Sequence, residues 1–455
     1  MSRINIQKAL SNLHLDDRAQ ENFLRLYKKF CEGPSRIDDW DTVRTPDEKF
    51  LVPYATLKIP DSKAIQQSLS KVAVCKLNGG LGTSMGCQSP KSTIIVRDGK
   101  SFLDLIVDQL CEAQRKFDVT IPLILMNSFY THEETQKVIE KYHGHLKIKT
   151  FRQNMFPRLL EGSCQPLSED EFGLGAWYPP GHGDFYSCIF EMGILDNLLE
   201  EGREVMFVAN ADNLGAVIDP GILHHILQND IPFMIEMTPK TLADVKGGTI
   251  YQEGNKVKLL EIASVPEEHK EEFCSQRKFK VFNTNNIWIN LRHLRAQLEK
   301  GPLDLNVIIN RKSVSGKNIL QFETAIGSAV ECFPGAVGLI VSRDRFLPVK
   351  KTDDLLLVQS DLFVLNQGHL TRNPDRKQAG LPSVKLGSHF ADLQDYQDRI
   401  SSVPGLLELD SLEVDGDVRF GEDVQLKGKI KLTALKNKPL LIPDGSVLKD
   451  ETVEQ

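Results

Sequence analysis

No two of the eight cysteines (Cys31, Cys75, Cys87, Cys111, Cys164, Cys188, Cys274 and Cys332) form a C-x-x-C pair or stand at zinc-finger spacing. That removes structural zinc from consideration and predicts free thiols in a reducing compartment. No uninterrupted apolar stretch approaches the ~18 residues of a membrane span. The N-terminus begins Met1-Ser2-Arg3-Ile4-Asn5 and soon reaches Asp16-Asp17-Arg18, without the apolar region of a signal peptide. Nor is there an excess of positive charge: 55 Lys and Arg against 62 Asp and Glu leave a formal net charge of −7. Such a surface carries no footprint for general nucleic-acid binding, though a local basic pocket for phosphates stays open. These absences predict a cytoplasmic protein with neither nucleic acid nor membrane as a partner.

What is present fits an ordinary globular chain with ample material for a core: 41% hydrophobic and 26% charged residues. At 455 residues it is long enough for two or three domains. Residues 1–70 read as a partly helical lead-in, with Phe23, Leu24, Leu26, Tyr27 and Phe30 near helical spacing. Pro34, Pro46, Pro53 and Pro60 then break the chain into irregular pieces. From Lys71 strand and helix patterns alternate: Val72–Leu77, helix Phe102–Phe117, strand Ile121–Met126, helix Thr131–Tyr142, strand Leu146–Phe151 and strand Val205–Ala209. Alternation of this kind predicts a mostly parallel sheet with helices on both faces over 71–365.

Near the C-terminus Leu412, Val418, Val424 and Ile430 recur every six residues, with Gly416, Gly421 and Gly428 between them. A hexapeptide period predicts a small stacked β-helix over 396–455, the four apolar residues forming one ladder. A small antiparallel sheet is the alternative. Polar residues from Asn366 to Arg376 suggest the hinge, giving a linker over 366–395.

Four local patterns point to chemistry. Leu77-Asn78-Gly79-Gly80-Leu81-Gly82-Thr83-Ser84-Met85-Gly86 follows a buried strand, and Pro90-Lys91 follows it. Glycines let the main chain curl close to a ligand with its amides turned inward, and Lys91 can set a positive charge on phosphates. The loop is not a Walker motif, since proline precedes Lys91-Ser92; nor is it a dinucleotide fingerprint, since Met85 stands at the third glycine position. Asn210-Ala211-Asp212 also follows a strand, so Asp212 can share a Mg²⁺ with substrate phosphates. Tyr178-Pro179-Pro180-Gly181-His182-Gly183-Asp184 is a rigid loop presenting one histidine. Phe282-Asn283-Thr284-Asn285-Asn286 brings three amides together, suited to sugar hydroxyls, although Asn is also common in turns.

Taken in order, these segments resemble the UTP–glucose-1-phosphate uridylyltransferase family. Met126-Asn127-Ser128, Phe156-Pro157-Arg158, Lys246-Gly247-Gly248 and Arg345-Phe346-Leu347-Pro348-Val349-Lys350 extend the likeness along most of the chain. The resemblance implies an α/β nucleotidyltransferase core with a C-terminal left-handed β-helix. It implies UTP and glucose 1-phosphate as substrates, UDP-glucose and pyrophosphate as products, and Mg²⁺ as cofactor. It places Leu77, Asn78, Gly79 and Gly80 on the nucleotide through the main chain, Lys91 on the UTP phosphates and Gln153 on the uracil edge. Gly181 would line the nucleotide site, and His182 would contact the sugar phosphate. Asn210, Ala211 and Asp212 would contact the nucleotide, Asp212 also holding the metal. Gly248, Glu261, Asn283 and Asn285 would surround glucose, and Lys350 would reach the α-phosphate. Relatives that make UDP-N-acetylhexosamines carry a Gly-Gln-Gly-Thr-Arg type of loop, where this chain has Gly80-Leu81-Gly82-Thr83-Ser84.

Chemistry of this type needs no covalent nucleophile, because the attacking phosphate oxygen is already charged. It rests on positioning and on charge supplied by Lys91, Lys350 and Asp212-held metal. A pyrophosphorylase for another sugar 1-phosphate, a non-catalytic nucleotide-binding scaffold and an acyltransferase based on the hexad repeat are the alternatives. The chain departs from the animal-type pattern after Leu448, where Lys449, Asp450, Glu451 and Glu454 surround a single Val453. Charge there opposes edge pairing and predicts a monomer or weak homo-oligomer through the C-terminal domain.

Overall fold

Strands form where the sequence carries unbroken apolar runs, because both faces of the sheet are covered. In the computed structural model, which describes residues 6–455 apart from 11, 12, 14, 34–36, 38, 242, 243 and 437, four strands lie side by side in parallel, the first three largely apolar and the last a half-polar edge strand. They are Val205–Asn210, Val72–Asn78, Leu123–Asn127 and Ile148–Arg152. Val281–Asn290 runs antiparallel beside Val205–Asn210 and joins it to Phe233–Pro239, Val337–Ile340 and Leu51–Pro53, completing eight strands. The break predicted at Pro34 lies outside the described residues.

Successive strand residues serve two different cores, as the two-residue strand period requires. Ala73, Cys75, Ile124, Met126, Met206 and Val208 pack toward helices Phe185–Glu191, Ile194–Glu200 and Leu291–Leu298. Val72, Val74, Leu123, Leu125, Val205 and Phe207 pack toward Ser62–Leu69, Phe102–Phe117 and Pro220–Gln228. Helix Phe102–Phe117 spans the predicted residues, opened by a capping box of Ser101 and Asp104. The helix predicted over 131–142 stays α-helical only for His132–Ile139 and tightens to a 3-10 turn at Glu140–Tyr142. There the buried Tyr142 donates its hydroxyl to Asp104 (2.8 Å).

The N-terminal amphipathic stretch lies in helix Asp17–Glu32, whose first turn is capped by Asp16 Oδ1 accepting the Ala19 amide (2.7 Å). Its apolar side is buried: Phe23 meets Phe156 edge-on at 5.4 Å and Phe322 at 5.9 Å. Phe23→Ala would leave a cavity with no neighbour free to fill it, and should cost about 3–5 kcal/mol of stability. Denaturant unfolding checks this; a loss below about 1 kcal/mol would mean that the helix is not docked as described.

Among the described residues, the strands from Ser383 onward pair only in parallel. Ser383–Leu386, Leu409–Asp415 and Gln425–Thr433 lie in sequence, and Val447–Lys449 and Thr452–Glu454 both add to Gln425–Thr433. Val418–Phe420 pairs with Leu440–Ile442 in a separate two-stranded sheet. The hexad ladder is thereby corrected. Leu412, Val418, Val424 and Ile430 are all buried in one core, but only Leu412 and Ile430 face each other across strands; Val418 stands opposite Leu440. Six residues carry the chain round a corner at Gly416 (φ +82°), so hexad neighbours occupy different sheets and direct stacking needs a longer step. The charged tail is also taken up within the chain, Val453 pairing with Leu432. Residues 383–386, in the expected linker, are a strand of this sheet because Val384 and Leu386 contribute to its core.

Candidate active site

At the carboxyl edge of the central sheet, Leu77 stands opposite Asn210, so both strand-following loops open into one cleft of about 390 Å³. Buried Asn78 ties the edge together by donating to Asn127 Oδ1 (2.7 Å) and Thr135 Oγ1 (3.0 Å). The glycine loop is pinned from outside: Ser128 donates its hydroxyl to the Gly79 carbonyl (2.7 Å), and the Lys91 amide donates to the Gly80 carbonyl (3.2 Å). A Cβ at Gly79 would come within 2.2 Å of Gln153 Nε2, so glycine lets the Gln153 amide lie over the loop. Gly181 (φ +84°) lies against the Thr324 main chain, where a Cβ would meet the carbonyl oxygen at 2.7 Å.

The 3-10 turn Lys91–Thr93 aims Lys91 Nζ at Asp212 Oδ2 (2.7 Å), the two side chains about 16% and 15% exposed. The other carboxylate oxygen, Oδ1, is buried with no hydrogen-bond partner. An unpaired buried carboxylate oxygen beside a phosphate-sized cleft fits a cation. Among the described residues no cluster of three or more His, Cys, Asp or Glu surrounds it. A metal there would draw its other oxygens from phosphates and water, as Mg²⁺ does. Lys350 follows directly along the chain from a segment stitched to this one, Val349 donating its amide to the Asp212 carbonyl (3.2 Å). Its own amide donates to Asp354 Oδ2 (2.8 Å). Lys350 is exposed and does not bound the cleft.

Gln153, at the end of Ile148–Arg152, is 8% exposed, and its Oε1 has no partner. The next residue is clamped: Asp184 Oδ2 and Oδ1 accept the Asn154 amide (2.7 Å) and side-chain nitrogen (2.9 Å), which joins the Gln153 turn to the His182 loop. His182 Nδ1 accepts the Ile326 amide (2.9 Å), so the neutral ring carries its proton on Nε2. Burial pulls the His182 pKa down to about 4. Because that lies below the ordinary value of 6.5, the neutral ring's contribution to stability is complete above about pH 6.5. It is lost as pH falls toward 4. His182→Gln should therefore flatten the fall in melting temperature over that window; parallel curves for both proteins would refute it.

Asn283 and Asn285 enter from the antiparallel strand. Asn285 takes a left-handed conformation (φ +62°) and donates its side chain to Asn210 Oδ1 (3.0 Å), while its amide donates to Asn283 Oδ1 (2.8 Å). The Asn283 amide donates in turn to the Gly248 carbonyl (2.7 Å). A Cβ at Gly248 would fall 2.5 Å from Glu261 Oε1, so glycine lets this carboxylate lie close. Burial raises the Glu261 pKa. Glu261 borders a different cavity of about 450 Å³, with Ser264, Asn306 and Ser328, and neither it nor Gly248, Asn283 or Asn285 lines the cleft beside Asp212.

A model of the UTP–glucose-1-phosphate uridylyltransferase family matches residues 20–427. The chain belongs to that family. It is 46% identical to the UTP–glucose-1-phosphate uridylyltransferase of Musa acuminata over 453 residues, covering 98% of this chain and 97% of that protein. It is equally identical to uridylyltransferase 2 of Dictyostelium discoideum, over 94% of this chain and 86% of the other. Among solved structures, a mutant Leishmania major UDP-glucose pyrophosphorylase in complex with UDP-glucose superposes with TM-score 0.87 at 31% identity, covering 98% of each chain. The Trypanosoma brucei protein superposes at 0.86, also 31% identical, covering 99% and 98%.

In this uridylyltransferase-family chain the cleft has a second wall that sequence reasoning missed. Arg158, Lys312, Gln321 and Glu323 bound it from the small sheet formed by Leu159–Leu160, Val307–Val314 and Lys317–Thr324 and its approach. Only Arg158 stood in a motif, and no role attached to it. The unpartnered buried atoms mark the wall better than any motif: Ser92 Oγ, Gln153 Oε1, Arg158 Nε, Asp212 Oδ1 and Gln321 Oε1 all belong to residues lining this cleft. Each such atom costs about 1–3 kcal/mol when left without a partner. A polar ligand that pairs with several of them removes that cost.

Proposed function

We propose that the chain transfers the uridylyl group of UTP to glucose 1-phosphate, giving UDP-glucose and pyrophosphate. The observation that carries the reading is the run of unpaired buried polar atoms through one cleft, from the Gln153 amide to the Lys91–Asp212 pair. Gln153 offers an acceptor and a donor, the complement of the uracil N3–H and its neighbouring carbonyl. Main-chain groups of Leu77, Asn78, Gly79 and Gly80 hold the nucleoside, with Gly181, Asn210 and Ala211 beside it. Lys91 exchanges part of its pairing with Asp212 for the phosphates. The neutral His182 donates from Nε2 to the sugar phosphate, and Gly248, Glu261, Asn283 and Asn285 take the glucose hydroxyls.

The nucleophile is a glucose 1-phosphate oxygen that is already anionic, so no general base is needed. It attacks the α-phosphorus in line with the departing pyrophosphate. The protein's work is to align two polyanions and to screen them where charge builds. Lys91 and, reaching over from the rim, Lys350 supply that charge. Asp212 would hold Mg²⁺, which when bound neutralises phosphate oxygens. No covalent intermediate is formed. A pyrophosphorylase for another sugar 1-phosphate is the second reading.

We also infer a catalytic domain over 71–365, to which Leu51–Pro53 adds an edge strand and Ser62–Leu69 a helix from the lead-in, and a left-handed β-helix C-terminal to it. The exclusively parallel C-terminal pairing supports this, and the pairing of Ser383–Leu386 favours a boundary before Ser383. A cytoplasmic location is proposed from the sequence; no helix among the described residues is long and apolar enough to cross a membrane.

Pyrophosphate release measured across nucleoside triphosphates and sugar 1-phosphates tests the activity. UTP with glucose 1-phosphate and Mg²⁺ should give the highest rate, reversibly. Folded protein that makes no UDP-glucose under those conditions overturns the proposal.

A further inference from the structure

Behind the strand that ends in the glycine loop lies a separate cavity of about 410 Å³. Strands Val72–Asn78 and Val205–Asn210 form its floor, and helices Ser62–Leu69 and Phe102–Phe117 form its sides. The walls are mainly apolar, with Leu69, Ile106, Leu110 and Phe207, while Glu112, already paired with Arg115 (2.8 Å), and the exposed Lys116 line the Phe102–Phe117 side. Gln367 and His369 stand at its edge on the hairpin turn between Phe363–Asn366 and His369–Arg372. That turn is held in place by Gln109 Nε2, which donates to the Gly368 carbonyl (2.8 Å).

One charged group on the floor is only partly partnered within the fold. Lys76 interrupts the apolar run of its strand and is only 2% exposed. Its ammonium has three donors. Among the described residues one acceptor takes a hydrogen bond from it, the Ala216 carbonyl at 2.7 Å, and the Phe207 ring lies 5.7 Å away. The carboxylates within electrostatic reach are engaged elsewhere. Glu236 accepts from Arg345 (2.6 and 2.7 Å), Trp288 (2.8 Å) and Asn286 (3.0 Å), and Asp212 pairs with Lys91. Burial, with a smaller contribution from Arg345, pulls the Lys76 pKa down to about 7. A buried cation without a paired anion is costly, and a core built for stability alone would place an apolar residue there.

We propose that this cavity binds an amphipathic carboxylate, whose head group pairs with Lys76 and whose aliphatic or aromatic tail lies along Leu69, Ile106 and Leu110. The cavity supplies both halves of the match. Apolar walls accept a chain that gains by leaving water, and the ammonium offers two further donors to an anion in a dry setting, where charge-assisted hydrogen bonds are strongest. The cleft beside Asp212 differs in character, with polar and apolar wall in comparable amounts and several unpaired polar atoms, so the two sites select different chemistry. The inference does not rest on the activity proposed above.

Decanoate and its uncharged analogue decanol, both below their aggregation limits, distinguish a carboxylate site from a merely apolar hole. Calorimetric titration of the full chain should show decanoate binding at least about tenfold more tightly than decanol, as expected for a charge-assisted contact. Lys76→Met keeps the volume and removes the charge; it should weaken decanoate about tenfold or more and leave decanol unchanged. Ala113→Phe places a ring in the cavity from the helix side and should abolish binding of both while UDP-glucose formation persists. If Lys76→Met fails to fold, the decanoate-to-decanol ratio and Ala113→Phe still decide. No binding of decanoate, equal affinity for the two ligands, or decanoate binding that survives Ala113→Phe each overturns the proposal.

Discussion

Asp212→Asn should lower turnover about a hundredfold or more, since removing one well-placed electrostatic group at a reacting phosphate typically costs about 3 kcal/mol. The amide preserves the volume and still offers Lys91 an acceptor, so the local packing survives. What disappears is the negative charge on Oδ1, the buried atom that has no partner within the protein. The metal requirement should therefore rise together with the fall in kcat. Thermal stability should change little, because the carboxylate lost was incompletely satisfied and a hydrogen bond to Lys91 can remain. Turnover at limiting Mg²⁺ decides the matter: a near-normal rate there would remove Asp212 from the metal site. A large drop in melting temperature would instead make the effect structural.

Gln153→Ala should weaken UTP about ten- to a hundredfold and relax the preference for uracil. Gln153 is nearly buried, its Nε2 lies over Gly79, and its Oε1 has no partner. A site built to hydrogen-bond its ligand leaves polar groups unpaired when the match fails, which is the source of strong base discrimination. On the proposed role, alanine takes the acceptor from the uracil N3–H, while Asp184 still holds Asn154 and the turn around it. The loss should therefore appear in kcat/KM for UTP and in the UTP-to-CTP ratio, with stability preserved. Unchanged UTP affinity together with unchanged base preference would show that Gln153 does not read the base.

Local sequence carried much of this. The strands at 72–78, 123–127 and 205–210 are legible because a doubly covered strand must be apolar on both sides. The start of Phe102–Phe117 is legible because Ser101 and Asp104 satisfy its first amides. Hexad spacing marked buried positions at the C-terminus but not their partners. Periodicity says which way a side chain points, whereas stacking depends on how many residues complete a circuit of the corner. The second cleft wall was invisible for a related reason: Lys312, Gln321 and Glu323 lie on half-polar strands without motif spacing, brought to the cleft by pairing with Leu159–Leu160.

By itself, the sequence determined which segments are strand, helix and glycine loop, and which residue types stand at the strand ends. These depend on apolar periodicity, capping and backbone freedom, all of them local. Tertiary structure alone decided the meetings: Lys91 with Asp212, Asn285 with Asn210, Gln153 over Gly79, and Lys76 on the floor of a mainly apolar cavity, bonded to the Ala216 carbonyl and, among the described residues, to no carboxylate. Those contacts join residues far apart in the chain, and their distances follow from strand order and the antiparallel insertion of Val281–Asn290. No local signal encodes such an arrangement, because it minimises the energy of the whole packed sheet rather than of any segment within it.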